Sequence, residues 1–163
     1  MASNPQYALR LTLAYQGARI RVAGSERVAM IVPAQNTAPP EAGSTGYWFE
    51  VLDAAGRVIY HRSLHSPIRI DVEAFSPDQR QSITRVPILE REGQFTVLMP
   101  DVSNAHAFVI HGPADPERPD EPARELLRLD VDALRRLKPP QGGGGTTSPQ
   151  GGGGTTPPQG QKG

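Results

Sequence analysis

The sequence predicts an all-β domain, an antiparallel β-sandwich of roughly nine or ten short strands that is followed by a structureless C-terminal tail. Three observations lead to this prediction. Apolar and polar residues alternate with a period of two through most of the chain before the tail, as in half-buried strands. Glycine and proline interrupt the alternation at short intervals, as turns do. A helical period is nearly absent. A barrel is the alternative arrangement of the same strands.

The N-terminal part is predicted to form three strands after a flexible start at residues 1–6. Large apolar side chains occupy every second position of 7–15, which predicts the first strand. A Gln-Gly turn separates it from a second strand at 18–23. A Gly-Ser pair predicts another turn at 24–25, and the third strand ends at Pro33, because proline cannot donate to a β-ladder.

A hairpin is predicted next, from 46 to 62. Its turn contains Gly56, which can adopt the positive φ that such turns require. If Asp53 lies opposite Arg57, alternate residues of the two strands share a face. One face, predicted to be core because it lacks carboxylates, then holds Tyr47, Phe49, Val51, Ile59 and His61. The other face holds Trp48, Glu50, Leu52, Val58, Tyr60 and Arg62.

The same criteria predict five further strands, two long loops and one short helix. Pro87 indicates that one of these strands lies at a sheet edge. The loops, at 34–45 and 113–122, are rich in proline, and loops of this length are often functional or mobile. The helix is predicted to be capped by Asp132 and to end at Leu137. The five strands are predicted at 68–75, 82–89, 94–99, 105–111 and 125–131.

The sandwich domain is therefore predicted to span residues 7–138, and a tail of low complexity to span 139–163. The tail begins Pro-Pro-Gln-Gly-Gly-Gly-Gly-Thr-Thr, and this unit recurs with a period of nine residues. Because the tail lacks large apolar side chains, burial cannot offset the entropy of ordering its backbone. We expect it to be disordered and to act as a flexible tether.

Composition and charge bear on partners and location. The 17 basic and 17 acidic residues give a net charge of zero. They are spread along the chain, so we expect no nucleic-acid partner and no attraction to an anionic membrane. No apolar run approaches the roughly 20 residues of a membrane span. Cysteine is absent, which excludes disulfides and thiolate chemistry. A cytoplasmic location is expected, since the start shows no secretory signal pattern.

The residue types that carry chemistry do not form a recognisable motif. The four histidines, at 61, 65, 106 and 111, do not supply the three or four converging ligands of a zinc site. Acidic residues in the 113–122 loop lack the spacing of a calcium loop. No serine lies in a nucleophile elbow. We therefore expect no metal, no cofactor and no enzymatic activity. A small hydrolase whose site forms only in the folded chain is an alternative.

The candidate partner-binding surface consists of Trp48, Glu50, Tyr60 and Arg62, on the second face of the hairpin. The predicted register places Trp48 opposite Arg62, and Glu50 opposite Tyr60. Arginine and aromatic side chains with polar tips are enriched at interfaces. The same band also suits burial under a second layer, and the sequence leaves both interpretations open. Trp48, Tyr60 and Phe75 would alternatively stack on sugar rings, as in a carbohydrate-binding module.

The spacing of short strands from Tyr7 to Val131 resembles that of immunoglobulin-like and fibronectin type III modules. This resemblance implies the sandwich, although the immunoglobulin cysteine pair is missing. It implies nothing about function, because the architecture serves many unrelated tasks. Together with the hairpin surface, the sequence predicts a non-enzymatic module that binds an unknown protein partner or assembles with itself.

Overall fold

A computed structural model describes residues 7–35, 38, 40–69, 71–75, 83–87 and 91–141. For 71–75 and 83–87 it describes the strand pairing alone. The predicted flexible start, at 1–6, and the tail from residue 142 onward lie outside the described residues.

The described residues form nine strands and one short helix. The strands are β1 (Tyr7–Gln16), β2 (Arg19–Ala29), β3 (Tyr47–Leu52), β4 (Val58–Leu64), β5 (Asp71–Phe75), β6 (Ile83–Pro87), β7 (Glu92–Pro100), β8 (Ala107–Gly112) and β9 (Arg124–Asp130), and the helix is α1 (Val131–Arg136). One antiparallel sheet has the order β2-β1-β7, and a second has the order β4-β3-β8-β9. The strands β5 and β6 pair with each other. The prediction of an all-β, antiparallel fold is confirmed.

The two larger sheets share one hydrophobic core. The alternating face of β1 enters it, and Leu9, Leu11 and Leu13 are buried. From the other sheet, Phe49 and Phe108 bring their ring centroids to 5.3 Å from each other. Burial of such large side chains is the main stabilising term of the sandwich, at roughly 1.5–3 kcal/mol for each. The alternation of β1 therefore predicted its core face correctly.

The predicted turn at Gly24 is wrong, because β2 continues through it. Leu13 pairs with Val22 and Thr12 pairs with Gly24, so Ala23 is the extra residue of a β-bulge. Glycine is needed there for a different reason. A Cβ atom at Gly24 would lie 2.5 Å from the backbone nitrogen of Pro140. The residue marks a close approach of the C-terminal segment and not a change of chain direction.

The helix begins at Val131 and is capped by Asp130, not by Asp132 as predicted. The Asp130 carboxylate accepts a hydrogen bond of 2.8 Å from the backbone N–H of Ala133. Both aspartates suit the capping role chemically. Packing favours Asp130, because a helix that begins at Val131 buries Val131 and Leu134 in the core. Among the described residues, no helix has the length and apolar character needed to cross a membrane.

Candidate interaction surfaces

The turn of the central hairpin forms as predicted. The backbone N–H of Asp53 donates to the carbonyl oxygen of Arg57 at 2.9 Å, and Gly56 has a φ of 78°. The Asp53 carboxylate accepts from the backbone N–H groups of Ala55 and Arg57, both at 2.9 Å. The backbone hydrogen bond from Arg57 is the largest influence on the pKa of Asp53, and it lowers that pKa against the opposing effect of burial.

The predicted pairing of the hairpin beyond its turn is wrong, because β4 contains a bulge. Leu52 pairs with Val58, whereas Val51 pairs with Tyr60. Ile59 is therefore an extra residue. A shift of one residue moves every later side chain to the opposite face. Ser63 therefore lies opposite Trp48, and His61 lies opposite Glu50, where Arg62 and Tyr60 were predicted.

As a result, the four residues of the predicted surface do not share a face. Tyr60 is buried on the core side, where its hydroxyl donates to the carbonyl oxygen of Pro33 at 2.8 Å. Burial raises the pKa of Tyr60, and the neighbouring Arg62 opposes this. Arg62 pairs with Phe49 across the strands, so it also belongs to the core side. Trp48 and Glu50 lie on the outer side of the sheet.

The outer side brings Trp48 and Glu50 together with two histidines. Trp48 stacks on His111 with 5.0 Å between ring centroids and an interplanar angle of 12°. Glu50 Oε2 lies 3.1 Å from His111 Nε2, and Glu50 pairs with His61 across β3 and β4. Neither histidine was predicted to belong here. No signal in the sequence could reveal them. β8, which carries His111, is distant in the chain, and the bulge moves His61 to the opposite face of β4.

This cluster is largely buried. Trp48 is 6% exposed and His61 is 3% exposed, so neither presents much surface to a partner. Within the described part of the chain, no group of three histidine, aspartate or glutamate side chains is arranged to hold a metal ion. Of the two interpretations of the Trp48 face, its burial agrees with the one in which a second layer covers it.

A different surface is provided by the outer edge of β7. β7 is nine residues long and pairs with β1 on one side, and no strand of the described residues pairs with its other side. The backbone N–H of Gly17 donates to the carbonyl oxygen of Arg91 at 2.6 Å, and the backbone N–H of Asp101 donates to the carbonyl oxygen of Tyr7 at 3.1 Å. These bonds flank β7, and the register between them is continuous.

The two flanking bonds determine which residues of β7 face outward. In an antiparallel pair, the N–H and C=O groups of one residue point to the same side, and the side alternates along the strand. The backbone groups of residues 91 and 101 point to β1. The backbone N–H and C=O groups of the odd-numbered residues between them therefore point to β1 as well. The free edge therefore presents the N–H and C=O groups of Glu92, Gln94, Thr96 and Leu98.

The other edge strands of the two larger sheets differ from β7, because each is interrupted by a bulge. The pairings of β2, β4 and β9 with their neighbours all shift in register, whereas the pairing of β7 does not shift. The edge of β2 is also occupied in part, since Ser25 N–H donates to the carbonyl oxygen of Lys138 at 3.1 Å. Bulges and coverage are the usual means by which proteins block strand addition.

The edge of β7 thus offers a regular row of backbone donors and acceptors that suits an added strand. Comparison of the chain with protein-family models, with curated proteins and with solved structures found no match.

Proposed function

We propose that this chain is a protein-binding module that adds an extended segment of a partner protein to the free edge of β7. The observation that supports the proposal is the continuous, unbulged register of β7 with β1, together with a far edge that no strand among the described residues pairs with. In strand addition, main-chain hydrogen bonds supply affinity and alternating side-chain contacts supply specificity. The proposal retains the predicted protein-binding role and moves it to another surface.

The two faces of β7 indicate the kind of segment that would fit. Glu92, Gln94 and Thr96 are exposed on the outer face. On the inner face, Phe95 is half-buried beside Tyr15, with ring centroids 6.4 Å apart. An added strand would extend both faces. The partner segment should therefore alternate, with apolar residues continuing the inner layer next to Phe95 and polar residues facing water. A second copy of the chain is the self-associating form of this interaction.

The carbohydrate-binding alternative depends on aromatic side chains that are exposed to solvent. Of its three stacking residues, Trp48 and Tyr60 are buried, and the bulge in β4 places them on opposite faces. The side chain of Phe75 lies outside the described part of the chain. Sugar rings stack on aromatic faces that solvent can reach. We therefore prefer a protein partner.

We also propose a likeness to immunoglobulin-like modules that is limited to one sheet. The order β4-β3-β8-β9 is consistent with the C′-C-F-G order of the variable type. The other sheet departs from that pattern, because β7 pairs with β1 and not with β2. An experimentally determined structure in which the four-stranded sheet had another strand order would contradict this likeness.

The proposed function is tested by replacing Thr96 with proline. The N–H of Thr96 points to the free edge, so Thr96→Pro removes one donor for an added strand and no bond to β1. Thr96→Val, which keeps the N–H, is the matched control. The wild type and both variants are used to select decapeptides from a random display library, after circular dichroism has established that each is folded.

Peptides selected by the wild type should alternate between apolar and polar residues. They should bind Thr96→Val with similar affinity and bind Thr96→Pro at least about tenfold more weakly, since each backbone hydrogen bond contributes about 1 kcal/mol and the ring also blocks the approach of the strand. Peptides that bind all three proteins equally would show that the free edge of β7 is not the binding surface.

A further inference from the structure

An open cavity of about 750 Å³ lies where the β1–β2 turn approaches the beginning of β9. It is at the side of the sandwich, because β2 and β9 are edge strands of different sheets. Three arginines line it, namely Arg19, Arg21 and Arg124. The first two are separated by one residue, so they share a face of β2. The third begins β9. Strands from both sheets thus contribute positive charge to one cavity.

These arginines differ from most other arginines of the described residues in having no ion-pair partner there. Arg10, for example, pairs with Glu26, and Arg118 pairs with Glu121 at 2.8 Å. Ion pairing normally compensates clustered guanidinium groups, because like charges in proximity repel one another. A cluster without partners is therefore an unusual feature in a chain whose net charge is zero.

One carboxylate lines the cavity, but it is already engaged. Glu125 Oε1 and Oε2 accept from Arg128 Nε at 3.0 Å and from its terminal nitrogen at 2.7 Å. These hydrogen bonds are the largest influence on the pKa of Glu125, and they lower it. Glu125 thus remains ionised at neutral pH with its charge balanced by Arg128. No carboxylate of the described residues compensates the charges of the three arginines that line the cavity.

We propose that this cavity binds a phosphorylated small molecule, whose phosphate group is held by Arg19, Arg21 and Arg124. Guanidinium groups donate paired hydrogen bonds to phosphate oxygens, and several of them can share one multiply charged phosphate. A carboxylate offers fewer oxygens and a single charge. The cavity is larger than a phosphate group and falls within the roughly 300–1,000 Å³ of small-molecule sites. Leu126, which is half-buried and also lines the cavity, supplies an apolar surface for the rest of the ligand.

This inference is independent of the free edge of β7. It is tested by isothermal titration calorimetry of the full chain with inorganic pyrophosphate, at low ionic strength because salt screens exposed charges. Citrate, a multiply charged carboxylate, is titrated in parallel. The variants are Arg21→Gln and Arg124→Gln, and the matched control is Arg10→Gln, which removes an exposed arginine outside the cavity. Thermal melting confirms that each variant is folded.

The proposal predicts saturable binding of one pyrophosphate per chain, with citrate bound at least about tenfold more weakly. Arg21→Gln and Arg124→Gln should each weaken pyrophosphate binding about tenfold or more, as expected for loss of a charge-assisted hydrogen bond. Arg10→Gln should bind like the wild type. Absence of saturable binding, equal binding of citrate, or an equal effect of Arg10→Gln would overturn the proposal.

Discussion

Asp101 shows how a single residue joins elements that are distant in the sequence. Its Oδ2 accepts from Arg27 Nε at 2.6 Å, and its Oδ1 accepts from Arg135 Nε at 2.8 Å. Arg135 also donates to the carbonyl oxygen of Val102 at 2.7 Å. Burial alone would raise the pKa of Asp101, but the hydrogen bonds and charges of Arg135 and Arg27 outweigh it and lower the pKa. The carboxylate connects β2 and α1 to the end of β7.

Replacing Asp101 with asparagine should reduce the free energy of unfolding by roughly 1–3 kcal/mol at neutral pH, because two charge-assisted hydrogen bonds are lost. The folded-state pKa lies below the unfolded value of about 3.9, so the stabilisation is present above that pH and is lost as the pH falls through the folded-state pKa. Urea denaturation of the wild type and Asp101→Asn should therefore show a difference in stability that shrinks in acid. A difference that stays constant between neutral pH and about pH 2 would contradict this role for Asp101.

The two aromatic residues at the start of the hairpin lead to a second prediction. Phe49 is 1% exposed and Trp48 is 6% exposed, so each alanine substitution should cost roughly 3–5 kcal/mol by removing a packed ring. Val58→Ala, at a position that is 40% exposed, serves as the control and should change stability by less than about 0.5 kcal/mol. Chemical denaturation of the three variants provides the measurement. A small effect of Trp48→Ala would show that the Trp48 ring is not packed under a covering layer.

At the scale of elements, the sequence predicted the strands more reliably than their pairing. Alternation is a local property, so β1, β3, β7 and β8 could be located without knowing their neighbours. A bulge depends on the partner strand and on the core. Ile59 is the extra residue in a register that directs Tyr60 to Phe49 and Pro33, and no local pattern signals this. The candidate surface failed for that reason, although its turn was predicted correctly.

The contact between Gly24 and Pro140 provides a third prediction. Gly24→Ala should lower the free energy of unfolding of the full chain by about 1–3 kcal/mol, because a methyl group would displace Pro140. In a chain that ends at Lys138 the same substitution should cost less than about 0.5 kcal/mol. Urea denaturation of the four proteins measures the coupling. Equal costs in both backgrounds would show that the Pro140 contact does not contribute to stability.

At the scale of the whole molecule, the fold class could be predicted, whereas the accessible surfaces could not. A period of two with frequent turns is sufficient for an antiparallel all-β fold. Which strands become edges depends on the order of the sheets, which long-range pairing determines. The edge of β7 and the convergence of Arg19 with Arg124 therefore had no counterpart in the sequence pattern.

The low-complexity tail leads to a fourth prediction. Truncation after Gln141 keeps the Pro140 contact and removes the glycine-rich repeats, which have no large apolar side chains to bury. The melting temperature should change by no more than about a degree, as expected for a terminus that does not pack. Differential scanning calorimetry of the two chains is the measurement. A decrease of several degrees would mean that the tail contributes to the fold.

Amide hydrogen exchange along β7 tests the central claim most directly. The N–H groups of Phe95, Val97 and Met99 bond to β1 and should be protected, whereas those of Gln94, Thr96 and Leu98 point to the free edge. In the isolated chain the amides of the free edge should exchange at least about a hundredfold faster than the amides bonded to β1. A bound peptide should slow exchange at the free edge to a rate similar to that of the amides bonded to β1. Uniform protection from 94 to 99 in the isolated chain would show that the edge is already occupied, and would contradict the proposed binding site.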